Sequence, residues 1–106
     1  KYLGRTEIET FINLEISKDI WWGNIRIVFG GHATEKMNAL GIEVEEVEQI
    51  IKKGMKWQDK EQKNKWYANM HGYEVVFEEM EDLLYIITVY PGETRQWNVF
   101  FAKQKL

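Results

Sequence analysis

The chain has no cysteine, one proline, two histidines and no apolar run long enough to cross a membrane. Each scarcity removes a class of protein. Without cysteine there is neither a disulfide framework nor a thiolate metal site, and such a composition suits a reducing compartment. Two histidines cannot build a histidine-rich zinc centre, and no stretch carries the spaced carboxylates of a loop for a hard cation. No metal and no cofactor are therefore expected. A charged-then-apolar leader is also missing, so the expected location is the cytoplasm, with no membrane attachment. Nor is there an excess of positive charge. The formal net charge of −3 is unlike that of a general nucleic-acid binder, which presents a basic surface.

What is present fits one α+β domain spanning residues 1–106. A length of 106 residues allows one hydrophobic core and not two. Aromatics make up 14% of the chain and include five tryptophans, enough for a strand-rich core with aromatic surface to spare. The run Leu83 to Pro91, Leu-Leu-Tyr-Ile-Ile-Thr-Val-Tyr-Pro, is rich in β-branched and aromatic residues and holds no charge and no glycine. It reads as a strand. Strict alternation places Leu83, Tyr85, Ile87 and Val89 on one face and Leu84, Ile86, Thr88 and Tyr90 on the other. Both faces are mostly apolar, as in a central strand covered on two sides. On that reading Ile87 is a position where a charge abolishes folding.

The other elements follow from local pattern. Thr6 with Glu9 forms a capping box, and Ile8, Phe11, Ile12 and Leu14 make a broad helical face. The even positions from Ile8 to Ile16 alternate equally well as a strand; the capping box favours helix over residues 6–19. Trp21, Trp22 and Gly23 read as a break, and Asn24 to Phe29 as a short strand. Two helices then stand out, His32 to Leu40 closed by Gly41, and Val44 to Lys53 closed by Gly54. The second carries Glu45 and Glu46 first and Lys52 and Lys53 last, the order the helix dipole favours. After Gly54 the period becomes two. Met55 to Gln58, Trp66 to Met70, Tyr73 to Met80, Leu83 to Tyr90 and Gln96 to Ala102 read as strands with short connections, an antiparallel meander. The expected fold is two consecutive helices packed on a meander sheet of about four or five strands.

His32-Ala33-x-x-Lys36-Met37, then Leu40-Gly41-Ile42 and Glu45-Glu46-Val47, resembles the opening of a family of small uncharacterised bacterial and archaeal domains. Ile86-Ile87-Thr88-Val89-Tyr90 resembles that family's closing strand. The likeness covers roughly Phe29 to Pro91 and leaves residues 1–23 as an N-terminal extension. Lys36 and Leu40 stand where the family usually has arginine. The family in turn looks related to the RelE and BrnT type toxins of toxin–antitoxin pairs. That resemblance implies a RelE-like fold, a metal-independent ribonuclease activity on messenger RNA, and an antitoxin-like protein partner.

Cleavage of RNA without a metal needs a proton acceptor for the 2′-hydroxyl, a cation for the phosphorane and a proton for the leaving oxygen. Four residues are candidates for this work. His32 opens a helix, where free backbone N–H groups can hold a phosphate, and Lys36 lies one turn on. The alternative for His32 is a helix cap packed on the sheet. Arg95 stands in the turn before the last expected strand, as phosphate-binding arginines of RelE-like folds do, or is simply solvated. Tyr90, at the strand end, can donate a proton or stack on a base, or belongs to the edge of the core. His71, beside Gly72, reads as a turn residue. Lysines 52, 53, 56, 60, 63 and 65, interleaved with Trp57, Trp66 and Tyr67, make either a nucleic-acid face or a charged loop with aromatic anchors. Two further classes stay open, a non-catalytic module that binds a protein partner through exposed aromatics, and an enzyme acting on a small molecule.

Overall fold

Residues 8–15 and 21–92 are described by the computed structural model. They form strands β1 (Ile8–Glu15) and β2 (Trp21–Phe29), helices α1 (Gly31–Leu40) and α2 (Val44–Lys53), and strands β3 (Met55–Gln58), β4 (Lys65–Met70), β5 (Tyr73–Met80) and β6 (Leu83–Pro91). The strands make one sheet in the order β1-β2-β6-β5-β4-β3. Strands β3 to β6 form the expected antiparallel meander. The β1–β2 hairpin joins it through β2, which runs parallel to β6. The sheet is therefore mixed and has six strands among the described residues, more than the four or five expected. The reason lies in the first segment. Ile8, Thr10 and Ile12 pair with Phe29, Ile27 and Ile25 of β2, so the period of two prevails over the capping box. Strand pairing and burial outweigh a local propensity that is worth about 1 kcal/mol. Trp21 to Gly23, read as a break, are the start of β2. The expected strand Gln96 to Ala102 lies outside the described residues.

Both helices cover one face of the sheet. Ala33 and Met37 of α1, and Val47, Ile50 and Ile51 of α2, share a single core with Ile12, Ile25, Ile27, Phe29, Trp66, Ala68, Val75, Phe77, Leu84, Ile86 and Val89. Gly41 ends α1 in the left-handed conformation at φ 73°, its N–H donating to carbonyls of the last turn. In α2 the acids Glu45 and Glu46 open the helix and Lys52 and Lys53 close it, as the dipole argument requires. Lys56 of β3 adds to that end by donating to the carbonyls of Lys52 and Gly54 at 3.1 and 2.9 Å. Burial lowers the pKa of its ammonium. Among the described residues, no helix is long and apolar enough to cross a membrane.

Strand β6 is central, between β2 and β5, but the helices cover it on one face only, and its alternation is broken. Val76 pairs with Thr88 while Phe77 pairs with Ile86, which leaves Ile87 as an extra residue. This is a β-bulge, one residue inserted into one strand of a pair. Leu84, Ile86 and Val89 consequently all reach the helix side and are fully buried, whereas Ile87 is only half-buried. The expectation that Ile87 lies in a doubly covered layer is corrected by that insertion. The same insertion turns Tyr90 to the opposite face, which carries no helix among the described residues. Strict alternation would have put it with Leu84 and Ile86.

The β4–β5 hairpin turns through His71 and Gly72, at φ 58° and 83°. Positive φ at both central residues defines the turn that matches strand twist, and asparagine followed by glycine suits it best. His71 thus serves the turn. Replacing it with asparagine should raise the melting temperature slightly. Valine, which resists positive φ, should cost on the order of 1 kcal/mol, about 4–8 °C by calorimetry.

Candidate functional site

The helix-free face of the sheet carries two cross-strand rows. Trp57, Tyr67, Val76 and Thr88 are successive partners across β3, β4, β5 and β6, and Met55, Asn69, Glu74 and Tyr90 form the row beside them. In the first row the Trp57 and Tyr67 rings stack with centroids 5.4 Å apart and planes 9° from parallel. In the second, the Tyr90 hydroxyl donates to Glu74 Oε2 at 2.6 Å and the Asn69 amide to Oε1 at 3.4 Å. Glu74 is only 3% exposed. A carboxylate so buried needs hydrogen-bond donors, and 2.6 Å is the length of a charge-assisted O–H···O⁻ bond.

The loop between β3 and β4 closes one side. Asp59 organises it as an Asx turn: one carboxylate oxygen accepts the backbone N–H groups of Glu61 and Gln62 at 3.0 and 2.9 Å. The other accepts the Tyr67 hydroxyl at 2.7 Å, which ties the loop to the ring stack. The Gln58 amide donates to the Lys63 carbonyl. The Tyr67 bond, then the two amides and Lys65, hold the Asp59 carboxyl below the ordinary aspartate value. The Asp59 bond in turn raises the Tyr67 hydroxyl. Because the folded value is depressed, the stabilising contribution of Asp59 is complete above the unfolded value of about 3.9 and is lost as pH falls through the lower folded value. In carboxyl-detected NMR, Asp59 should titrate below about 3.9, and Tyr67→Phe should move its midpoint back up.

Between loop and rows opens a cleft of about 620 Å³, lined by Trp57, Gln58, Asp59, Lys60, Glu61, Tyr67, Glu74 and Tyr90. Its volume is in the range of small-molecule and nucleotide sites. Of the sequence candidates, Tyr90 lines it. His32 and Lys36 do not; they belong to α1, in the layer on the other side of the sheet. Nor does His32 cap its helix, since the cap position is Gly30, without a side-chain bond, and the imidazole is exposed. Arg95 lies outside the described residues. The aromatic segment divides between the two faces. Trp57 and Tyr67 line the cleft, while Trp66 is buried against the core and its indole N–H donates to Glu79 at 3.3 Å. Among the described residues, no three carboxylate or histidine side chains converge in a way that could hold a metal ion.

Glu74 and Asp59 are the site residues that sequence reading missed. Glu74 carried a faint signal, a lone acid between Tyr73 and the run Val75-Val76-Phe77, two residues past a His-Gly turn. A profile of the family described as a domain of unknown function (DUF4258) matches residues 29–91. The chain belongs to that family. The match begins at the last residue of β2 and ends with β6, so the DUF4258 part holds both helices, the meander and the cleft residues named above. Most of the β1–β2 hairpin lies before it. No curated protein and no solved structure matches the chain.

Proposed function

We propose that this DUF4258 protein is a metal-independent ribonuclease of the RelE and BrnT type, with its chemistry on the helix-free face of the sheet. The observation that carries the reading is the Tyr90–Glu74 pair at 2.6 Å, lining a cleft with an aromatic wall. RNA bases left unpaired stack on such rings, and stacking is worth about 1–3 kcal/mol per base. In this reading the 2′-hydroxyl of the substrate gives its proton to Tyr90 as Tyr90 gives its own to Glu74. The 2′-oxygen bonds to the adjacent phosphorus and the 5′-oxygen leaves, taking a proton from water at the cleft mouth. Lys60, on the cleft wall, offsets the developing phosphorane charge, and Arg95 keeps its proposed part as a second phosphate cation.

The test is incubation of the purified protein with mixed-sequence RNA in excess chelator. Fragments ending in a 2′,3′-cyclic phosphate are the expected product, and intact RNA after long incubation at high enzyme concentration would falsify the reading. One observation favours a second reading. The cleft is lined by three carboxylates, those of Asp59, Glu61 and Glu74, against the single ammonium of Lys60 among the described residues. A module that binds a basic segment of a protein partner, antitoxin-like or other, fits that balance. Intact RNA together with tight binding of an arginine-bearing peptide is its signature.

A further inference from the structure

We propose that the cleft reads a guanine base, with Glu61 as the reading carboxylate; this rests on the ribonuclease reading above. The acid-rich lining has a use if an RNA base enters the cleft beside the scissile phosphate that Lys60 faces. Among the four bases, guanine alone offers two adjacent donors on its Watson–Crick edge, N1–H and the N2 amino group. A carboxylate offers two acceptors at matching separation. Cytosine and adenine present one amino group beside a ring-nitrogen acceptor, and uracil one N–H between two carbonyls. Against a carboxylate, each of these leaves a facing acceptor or a missing bond.

Three carboxylates line the cleft, and their bonding decides between them. Asp59 has both oxygens engaged, one by the Tyr67 hydroxyl and the other by two backbone amides. Glu74 is buried and takes the Tyr90 and Asn69 donors. Glu61 is exposed and lines the cleft, and the backbone that carries it is tied down by the bond from its N–H to Asp59. The stacked Trp57 and Tyr67 form the wall along which a planar base lies. Phosphates on either side of the base have Lys60 and Lys63 in the same exposed loop, and Lys65, whose ammonium sits 5.8 Å from the Tyr67 ring centre. Lysines on and beside an acidic, aromatic cleft allow base selectivity in a protein of net negative charge.

The test is equilibrium binding of the four ribonucleoside 5′-monophosphates to the whole protein, followed by tryptophan fluorescence and by NMR. Guanosine monophosphate should bind at least tenfold more tightly than the other three, because a site built to hydrogen-bond a donor pair rejects bases lacking it. Glu61→Gln should bring it to within about threefold of adenosine monophosphate, with the melting temperature unchanged. Equal binding of all four, binding of none, or a guanine preference that survives Glu61→Gln overturns the proposal. So does uptake of an arginine-bearing peptide in the absence of any nucleotide binding. Mapping the cleavage sites separates this inference from the reading beneath it. RNA cut without regard to neighbouring guanine rejects the base site and keeps the ribonuclease. Guanosine monophosphate held by a protein that leaves RNA intact does the reverse.

Discussion

Aspartate in place of Ile86 should leave a chain without a cooperative unfolding transition, while aspartate in place of Ile87 leaves a folded protein. The two positions are neighbours on the central strand and carry the same side chain. Ile86 is fully buried, in the core shared by both helices. Removing its side chain from that core forfeits roughly 1.5–3 kcal/mol of burial, and the carboxylate adds several kcal/mol of desolvation. Their sum is of the same order as the whole stability of a domain this size, about 5–15 kcal/mol. Ile87 is the extra residue of the bulge, half-buried on a strand whose second face carries no helix among the described residues. An aspartate there keeps access to water and should cost on the order of 1 kcal/mol, an ordinary value for a point substitution. Circular dichroism and calorimetry on the two variants check the contrast. A cooperatively melting Ile86→Asp protein would show that the bulge is misplaced by one residue.

The same bulge marks how far the fold was legible in the sequence. Elements with strong punctuation could be read almost to the residue: α2 lies between its acidic first turn and Gly54, and the meander between its short polar turns. These signals are local, and local chemistry sets them. The face on which Tyr90 lies was not legible, because alternation carries no mark of an inserted residue. Only the pairing of Phe77 with Ile86 and of Val76 with Thr88 reveals it. Thr6 and Glu9 misled for a related reason. Their capping pattern is local, whereas the pairing of Ile8 to Ile12 with β2 is a contact between segments that the sequence does not announce. The site follows the same rule. Tyr90 was identifiable as a tyrosine at the end of a strand. Its partner Glu74 sits on β5 and meets it only through strand register. His32 was attractive because it opens a helix after two glycines, but the side of the sheet on which a helix lies is a tertiary fact.

Glu74→Gln should lower RNA cleavage on the order of 10²-fold or more, the scale for losing a general base, and leave the melting temperature unchanged or higher. Glutamine keeps the size of the side chain, its carbonyl oxygen still accepts the Tyr90 hydroxyl, and its amide N–H bonds to Asn69 once that amide turns its oxygen inward, so the second cross-strand row stays packed. What it cannot do is take a proton from that hydroxyl. A neutral amide is also easier to bury than a carboxylate at 3% exposure, which is why stability need not fall. Tyr90→Phe breaks the same relay at its other end and should cost a similar factor. Because the two residues act as one unit, the double variant should be no worse than either single one. His32→Ala places the chemistry by elimination. His32 belongs to the layer on the other side of the sheet, so its loss should leave cleavage intact. Activity that survives Glu74→Gln and Tyr90→Phe but disappears with His32→Ala would return the reaction to the start of α1. A fall in melting temperature that accounts for the lost cleavage in Glu74→Gln would make the buried carboxylate a structural tie between β5 and β6 and nothing more.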